Sequence, residues 1–85
     1  MVAIHPHAAA RLELRGATAE EVVETVELGE EFPAKFDRTG FHRTFQGHYL
    51  WRAKVFDTKR VEAYAVFENH EWLVITVIVK FGRAS

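Results

Sequence analysis

The chain has 85 residues, 48% of them hydrophobic and 13% aromatic, with a formal net charge of −1 and no cysteine. That length suits one domain spanning residues 1–85 around a single core, and the lack of cysteine excludes disulfides, cysteine-ligated zinc and thiol catalysis. The small net charge conceals a segregation: residues 17–34 carry only acids, whereas residues 35–60 carry Lys35, Arg38, Arg43, Arg52, Lys54, Lys59 and Arg60 against Asp37 and Asp57.

The opening from Met1 to Pro6 lacks the basic and apolar regions of a secretory leader, and the apolar run Trp72 to Val79 is too short to span a bilayer. A cytoplasmic protein with no membrane association is therefore expected. Val2 to Ile4 suits a short strand. Pro6 then suits a first helical turn, because its missing N–H has no partner there in any case. A first helix is predicted from Pro6 to Arg15, ended by Gly16 as a left-handed cap. Thr18 and Glu21 form a capping box for a second helix over about Ala19 to Leu28, with Val22, Val23 and Val26 as its buried stripe.

Beyond Pro33 the sequence turns aromatic and β-branched. Turn signals at Arg38–Gly40, Gln46–His48, Asp57–Lys59 and Glu68–His70 divide it into four predicted strands, Phe41–Phe45, Tyr49–Phe56, Val61–Phe67 and Trp72–Phe81. The last is apolar on both faces and is expected at the centre of the sheet. Gly82 to Ser85 reads as a tail. The expected fold class is α+β, two N-terminal helices on a curled antiparallel sheet of about four strands.

Three side chains on the first predicted helix, His7, Arg11 and Arg15, stand four residues apart and so share one face. Like-charged neighbours of this kind call for a phosphate, a carboxylate or full solvation; pairing of the arginines with the glutamates of the second helix is the competing arrangement. Arg43, Arg52 and Lys54 add cations on strands, with Tyr49 and Tyr64 as proton carriers or stacking surfaces. Cations interleaved with aromatics suit single-stranded RNA. RNA cleavage by the neighbouring 2′-hydroxyl asks only for alignment, proton transfer and charge stabilisation, which a histidine with arginines and a lysine supplies without metal. His5, His7, His42 and His48 lack the spacing of a metal site, and no cofactor motif occurs.

The opening His7-Ala8-Ala9-Ala10-Arg11-Leu12-Glu13-Leu14-Arg15-Gly16, followed by Thr18-Ala19-Glu20-Glu21-Val22, resembles the His-Ala-x-x-Arg-(Leu/Met)-x-x-Arg-Gly start of a small uncharacterised bacterial domain family similar to the RelE, ParE and BrnT toxins. Val74 to Ile78 resembles that family's last strand, whereas Ala17 stands where the family usually has a larger branched residue. The resemblance implies a RelE-like, microbial-ribonuclease-like fold, a toxin that cuts messenger RNA, and a cognate antitoxin as partner. It carries over His7, Arg11 and Arg15 directly. The expected function is thus a metal-independent endoribonuclease with His7, Arg11, Arg43 and Lys54 as catalytic residues and Arg15, Lys35, Arg38 and Arg52 contacting RNA. The alternative is a non-catalytic module binding protein or RNA. The oligomeric state is not specified by these patterns.

Overall fold

The computed structural model describes residues 1–83, so Ala84 and Ser85 of the expected tail lie outside the described residues. The chain runs β1 (Val2–Ile4), α1 (Pro6–Ala9), α2 (Leu12–Arg15), α3 (Ala19–Leu28), β2 (Glu30–Pro33), β3 (Thr39–Trp51), β4 (Lys54–Glu68) and β5 (Glu71–Gly82). Strands occupy 57% and helices 22%. The expected architecture of two helices on a curled, RelE-like antiparallel sheet of about four strands is therefore corrected to a five-stranded mixed sheet with three short helices. The sheet order is β1-β5-β4-β3-β2, with β1 parallel to β5 and every other pair antiparallel.

The single helix expected over Pro6–Arg15 is broken at Ala10 and Arg11. The Arg11 amide bonds to the Ala8 carbonyl, three residues back, and Arg11 sits at φ −102°. Gly16 ends α2 in the left-handed conformation as expected, and its bare Cα lies where a Cβ would strike the rings of Phe81 and Trp51. The capping box forms as written: Thr18 accepts from the Glu21 amide and Glu21 accepts from the Thr18 amide. On α3 the buried positions are Val22, Thr25 and Val26, with Val23 only half-buried.

The strands differ most from expectation. Gln46–His48 and Asp57–Lys59 are not turns, and the chain stays extended through both. Gly47 and His48 instead form an irregularity in the β3–β4 register, a common use of glycine inside a strand. The true hairpin turn is Arg52–Ala53, both at positive φ (52° and 64°), so the expected strand Tyr49–Phe56 folds back on itself with Leu50 opposite Val55. Two consecutive left-handed residues match the twist of a two-residue hairpin even without Asn or Gly. The same geometry at Asn69–His70 joins β4 to β5, where a turn was expected. The connection before β3 turns at Phe36 and Asp37 instead of Arg38–Gly40.

The central strand is β4, not β5, and its small residues explain why. Ala63 and Ala65 are fully buried, and α3 packs on this strand, Val22 and Val26 joining them in one core with Leu12, Ala17, Phe41, Val61, Val74 and Val77. Val74 and Val77 both enter this core although they are three apart on one strand. A bulge allows it: Tyr64 pairs with Thr76 and Ala65 with Val74, leaving Ile75 as the extra residue. Beyond Val74, β5 has no strand neighbour on its outer side among the described residues, because β1 pairs only with Trp72 to Val74. Among the described residues, no helix is long and apolar enough to cross a membrane.

Candidate functional site

The free stretch of β5 and the broken N-terminal helices create a cleft. His7, Ala8, Arg11 and Arg15 line one wall and Ile75, Thr76 and Val77 the other, around a cavity of about 80 Å³. The cavity thus sits at the bulge, where a strand commonly re-aims its side chains. The helix break at Arg11 does not scatter the three polar residues, since Ala8 and Leu12 are buried and hold α1 and α2 against β5. His7, Arg11 and Arg15 are all exposed, and among the described residues none of their side chains has a hydrogen bond or ion pair. The glutamates of α3 do not neutralise Arg11 or Arg15. Their cations come from the sheet instead.

Arg43 is one of these. Its Nε donates to Glu24 Oε2 at 3.0 Å and its Nη1 to the Leu28 carbonyl at 3.3 Å, which ties β3 to α3. Lys59 is the other. It lies 6% exposed on the helix side of β4, donates to the Gly16 carbonyl and Glu21 Oε1, both at 2.9 Å, and sits 4.7 Å from the Tyr49 ring centre. Lys54 begins β4 beside the hairpin turn, does not line the cleft, and is exposed. The expected catalytic set is accordingly divided: His7 and Arg11 meet, while Arg43 and Lys54 join neither them nor each other. Of the expected RNA contacts, Arg15 belongs to the cleft. Arg52 lies over the Trp51 ring at the hairpin turn, whereas Lys35 and Arg38 lie at the opposite end of the thirteen-residue β3, Arg38 over the Phe36 ring. At ~3.3 Å per residue β3 separates the two groups by up to about 40 Å.

The face of the sheet without helices holds a second group, of which sequence patterns single out only Tyr64. Arg60, Glu62 and Tyr64 alternate along β4 on this face, and the strand register adds Lys80 opposite Arg60, His42 opposite Glu62 and Thr76 opposite Tyr64. Glu62 is only 6% exposed. Arg60 Nε donates to its Oε2 at 2.8 Å, Lys80 Nζ approaches the same oxygen at 3.4 Å, and Tyr64 OH donates to Oε1 at 3.0 Å. Burial alone raises the Glu62 carboxyl, but the bonds from Arg60 and Tyr64 and the charges of Lys80 and Arg60 outweigh it and hold the carboxyl below its ordinary value. Burial first, then the bond to Glu62 and its charge, push the Tyr64 hydroxyl up, against a smaller opposing effect of Arg60.

Phe32 completes this face. Its ring covers Gly40, where any Cβ would collide with it, and meets Tyr64 edge-on at 5.8 Å and His42 at 5.6 Å. His42 also approaches Glu30 at 3.5 Å. The sequence signal for this group was available as a base, an acid and a tyrosine at alternate positions of one strand, Arg60, Glu62 and Tyr64. The contribution of Lys80 and His42 depends on register. Among the described residues, no three His, Cys, Asp or Glu side chains gather as metal ligands. Compared with known proteins, the chain matches no family model, no curated protein and no solved structure.

Proposed function

We propose that the protein is an RNA-binding module that holds backbone phosphate in the His7–Arg11–Arg15 cleft. The observation that carries this reading is that two guanidiniums and an imidazole line one small cavity and, among the described residues, none of these side chains has a partner. Unpaired guanidiniums present a fork that matches phosphate oxygens. Arg11→Ala combined with Arg15→Ala is expected to weaken binding of a single-stranded RNA oligonucleotide at least tenfold and to reduce the slope of log affinity against log salt by about 1.4, as expected for two lost phosphate contacts. Fluorescence anisotropy across a salt series measures both, and unchanged affinity in the double variant overturns the reading.

A second reading, metal-independent cleavage by a toxin-type endoribonuclease, is favoured by one feature: His7 shares the cleft with the two arginines. In that reaction the imidazole takes the 2′-hydroxyl proton as that oxygen bonds to phosphorus. The bond to the 5′-oxygen breaks, the proton returns to the departing oxygen, and a 2′,3′-cyclic phosphate and a 5′-hydroxyl result. Against it stands the diversion of Arg43 to Glu24 and of Lys54 to the hairpin, which leaves the arginines as the only cations at the phosphate. Incubating RNA with pure protein in chelator separates the two readings: cyclic-phosphate ends that disappear in His7→Ala select cleavage, and intact RNA in the bound complex selects binding. The toxin reading also requires that expression arrest growth and that an antitoxin protein relieve the arrest.

A further inference from the structure

We infer that the helix-free face of the sheet, built around Glu62, is a second site that takes one nucleotide of the same single-stranded RNA, with Arg60 and Lys80 on its phosphate and Phe32 and Tyr64 against its base. The inference rests on the RNA reading above and gives the ligand its strandedness, because a base stacks on protein only when unpaired.

A carboxylate buried on a sheet face is costly, and apolar side chains would fill the same space at least as stably. What Glu62 does is fix the heads of its neighbours. Arg60 and Lys80 converge on a single oxygen, and both remain accessible, with side-chain exposures of 40% and 65%. Only Nε of Arg60 is engaged, so its two terminal nitrogens remain available to an oxyanion. At the Glu62 carboxylate itself two cations leave one positive charge in excess, while Glu30 of the same face lies two strands away against His42. The half-buried Phe32 and Tyr64 meet edge-on, so each can turn one ring face to a base beside the Glu62 group, and sheet faces carrying aromatics and cations suit single strands for this reason.

The two sites are also neighbours. Thr76 lines the edge cleft and pairs in register with Tyr64, so one inter-strand spacing of ~4.8 Å separates the cleft wall from the Glu62 group. A single RNA strand passing round the β5 edge reaches both. Arg43, Lys59 and Glu21 lie on the other side of the sheet and take no part.

The test measures anisotropy of a labelled single-stranded RNA dodecamer, and of the same sequence as a duplex, with the intact protein and four variants whose folding is checked by thermal melting. Arg60→Ala with Lys80→Ala is expected to lose at least tenfold affinity for the single strand and to leave duplex binding within twofold. Lys80→Glu, at an exposed position that does not endanger folding, loses at least as much as removal of one cation. Tyr64→Leu, which removes the ring together with the donor to Glu62, loses five- to tenfold with an unchanged salt slope, since both cations remain. If these variants bind the single strand as the parent does while Arg11→Ala with Arg15→Ala does not, the second site is overturned and the RNA reading stands. If the parent protein binds neither RNA, both fall. Equal loss of single-strand and duplex binding on the Arg60 and Lys80 changes also overturns the inference, since it removes the stacking argument.

Discussion

Two buried charges sit three residues apart on β4 and face opposite sides of the sheet. Lys59 and Glu62 are equally hidden, each 6% exposed. Yet the partners of Lys59 tie elements of the fold together: a backbone carbonyl, a carboxylate that also caps α3, and the half-buried rings of Tyr49 and Phe81. Of the partners of Glu62, half-buried Tyr64 stays on the sheet, and Arg60 and Lys80 are arms that reach solvent. Burial of a charge therefore does not by itself mark a site. On the helix side the charge clamps α2, α3 and β4 together, and on the open side it holds two cations out for an anion.

This contrast breaks most sharply at the clamp. Glu21→Ala removes the carboxylate from buried Lys59 and also one half of the capping box, and a loss of about 3–5 kcal/mol is expected, read from urea denaturation. A loss below 1 kcal/mol would show that the Gly16 carbonyl alone satisfies Lys59, and the distinction between the two charges would collapse. Next in size is the acid limb. The folded-state pKa of Glu62 lies below its unfolded value, so its contribution is present above the ordinary carboxylate range and is lost as pH falls through the depressed folded value. Glu62→Gln is expected to flatten that part of the melting temperature against pH. An unaltered acid limb would assign it to other carboxylates.

Tyr64→Phe deletes the donor to Glu62 Oε1 and is expected to cost about 1.5–3 kcal/mol, as for a hydrogen bond to a charged group. It also removes part of the alkaline limb. A tyrosine whose pKa is raised in the folded state contributes fully below the unfolded value and loses that contribution as pH climbs through the folded one, which holds for Tyr64 and Tyr49 alike. Melting temperatures above the ordinary tyrosine range check this, and loss of the limb only with Tyr49→Phe would place the effect on the helix side. The smallest effect belongs to Lys80→Ala: less than about 0.5 kcal/mol of stability, as for an exposed ion pair. A large destabilisation there would recast Lys80 as structural and remove it from the open-face group.

Much of the local structure was legible because its causes lie within a few residues. The Thr18–Glu21 box, the left-handed cap at Gly16, the proline entry to α1 and the turn at Asn69–His70 each follow from side chains acting on their own backbone. The same short-range signals misled wherever the partner strand had the final say. Gly47 reads as a turn from its neighbours alone, but opposite an extended Phe56–Thr58 segment it becomes a bulge. The actual hairpin falls on Arg52–Ala53, which carries no glycine or asparagine.

The candidate sites divide in the same way. Residues four apart on a short helical segment stay together even across a break, and so His7, Arg11 and Arg15 were visible as a group in the sequence. The fate of Arg43, drawn to Glu24 nineteen positions away, was not. Nor was the meeting of Lys80 with Glu62 on one oxygen atom. By itself the sequence determined the caps, the helical stripe of cations and the alternation that puts Arg60, Glu62 and Tyr64 on one side of a strand. Only the tertiary structure decided which strands pair and in what register, because register is fixed by the shared burial of distant side chains such as Ala63, Val77 and Phe41. A shift of a single residue would have turned the Glu62 group into the core.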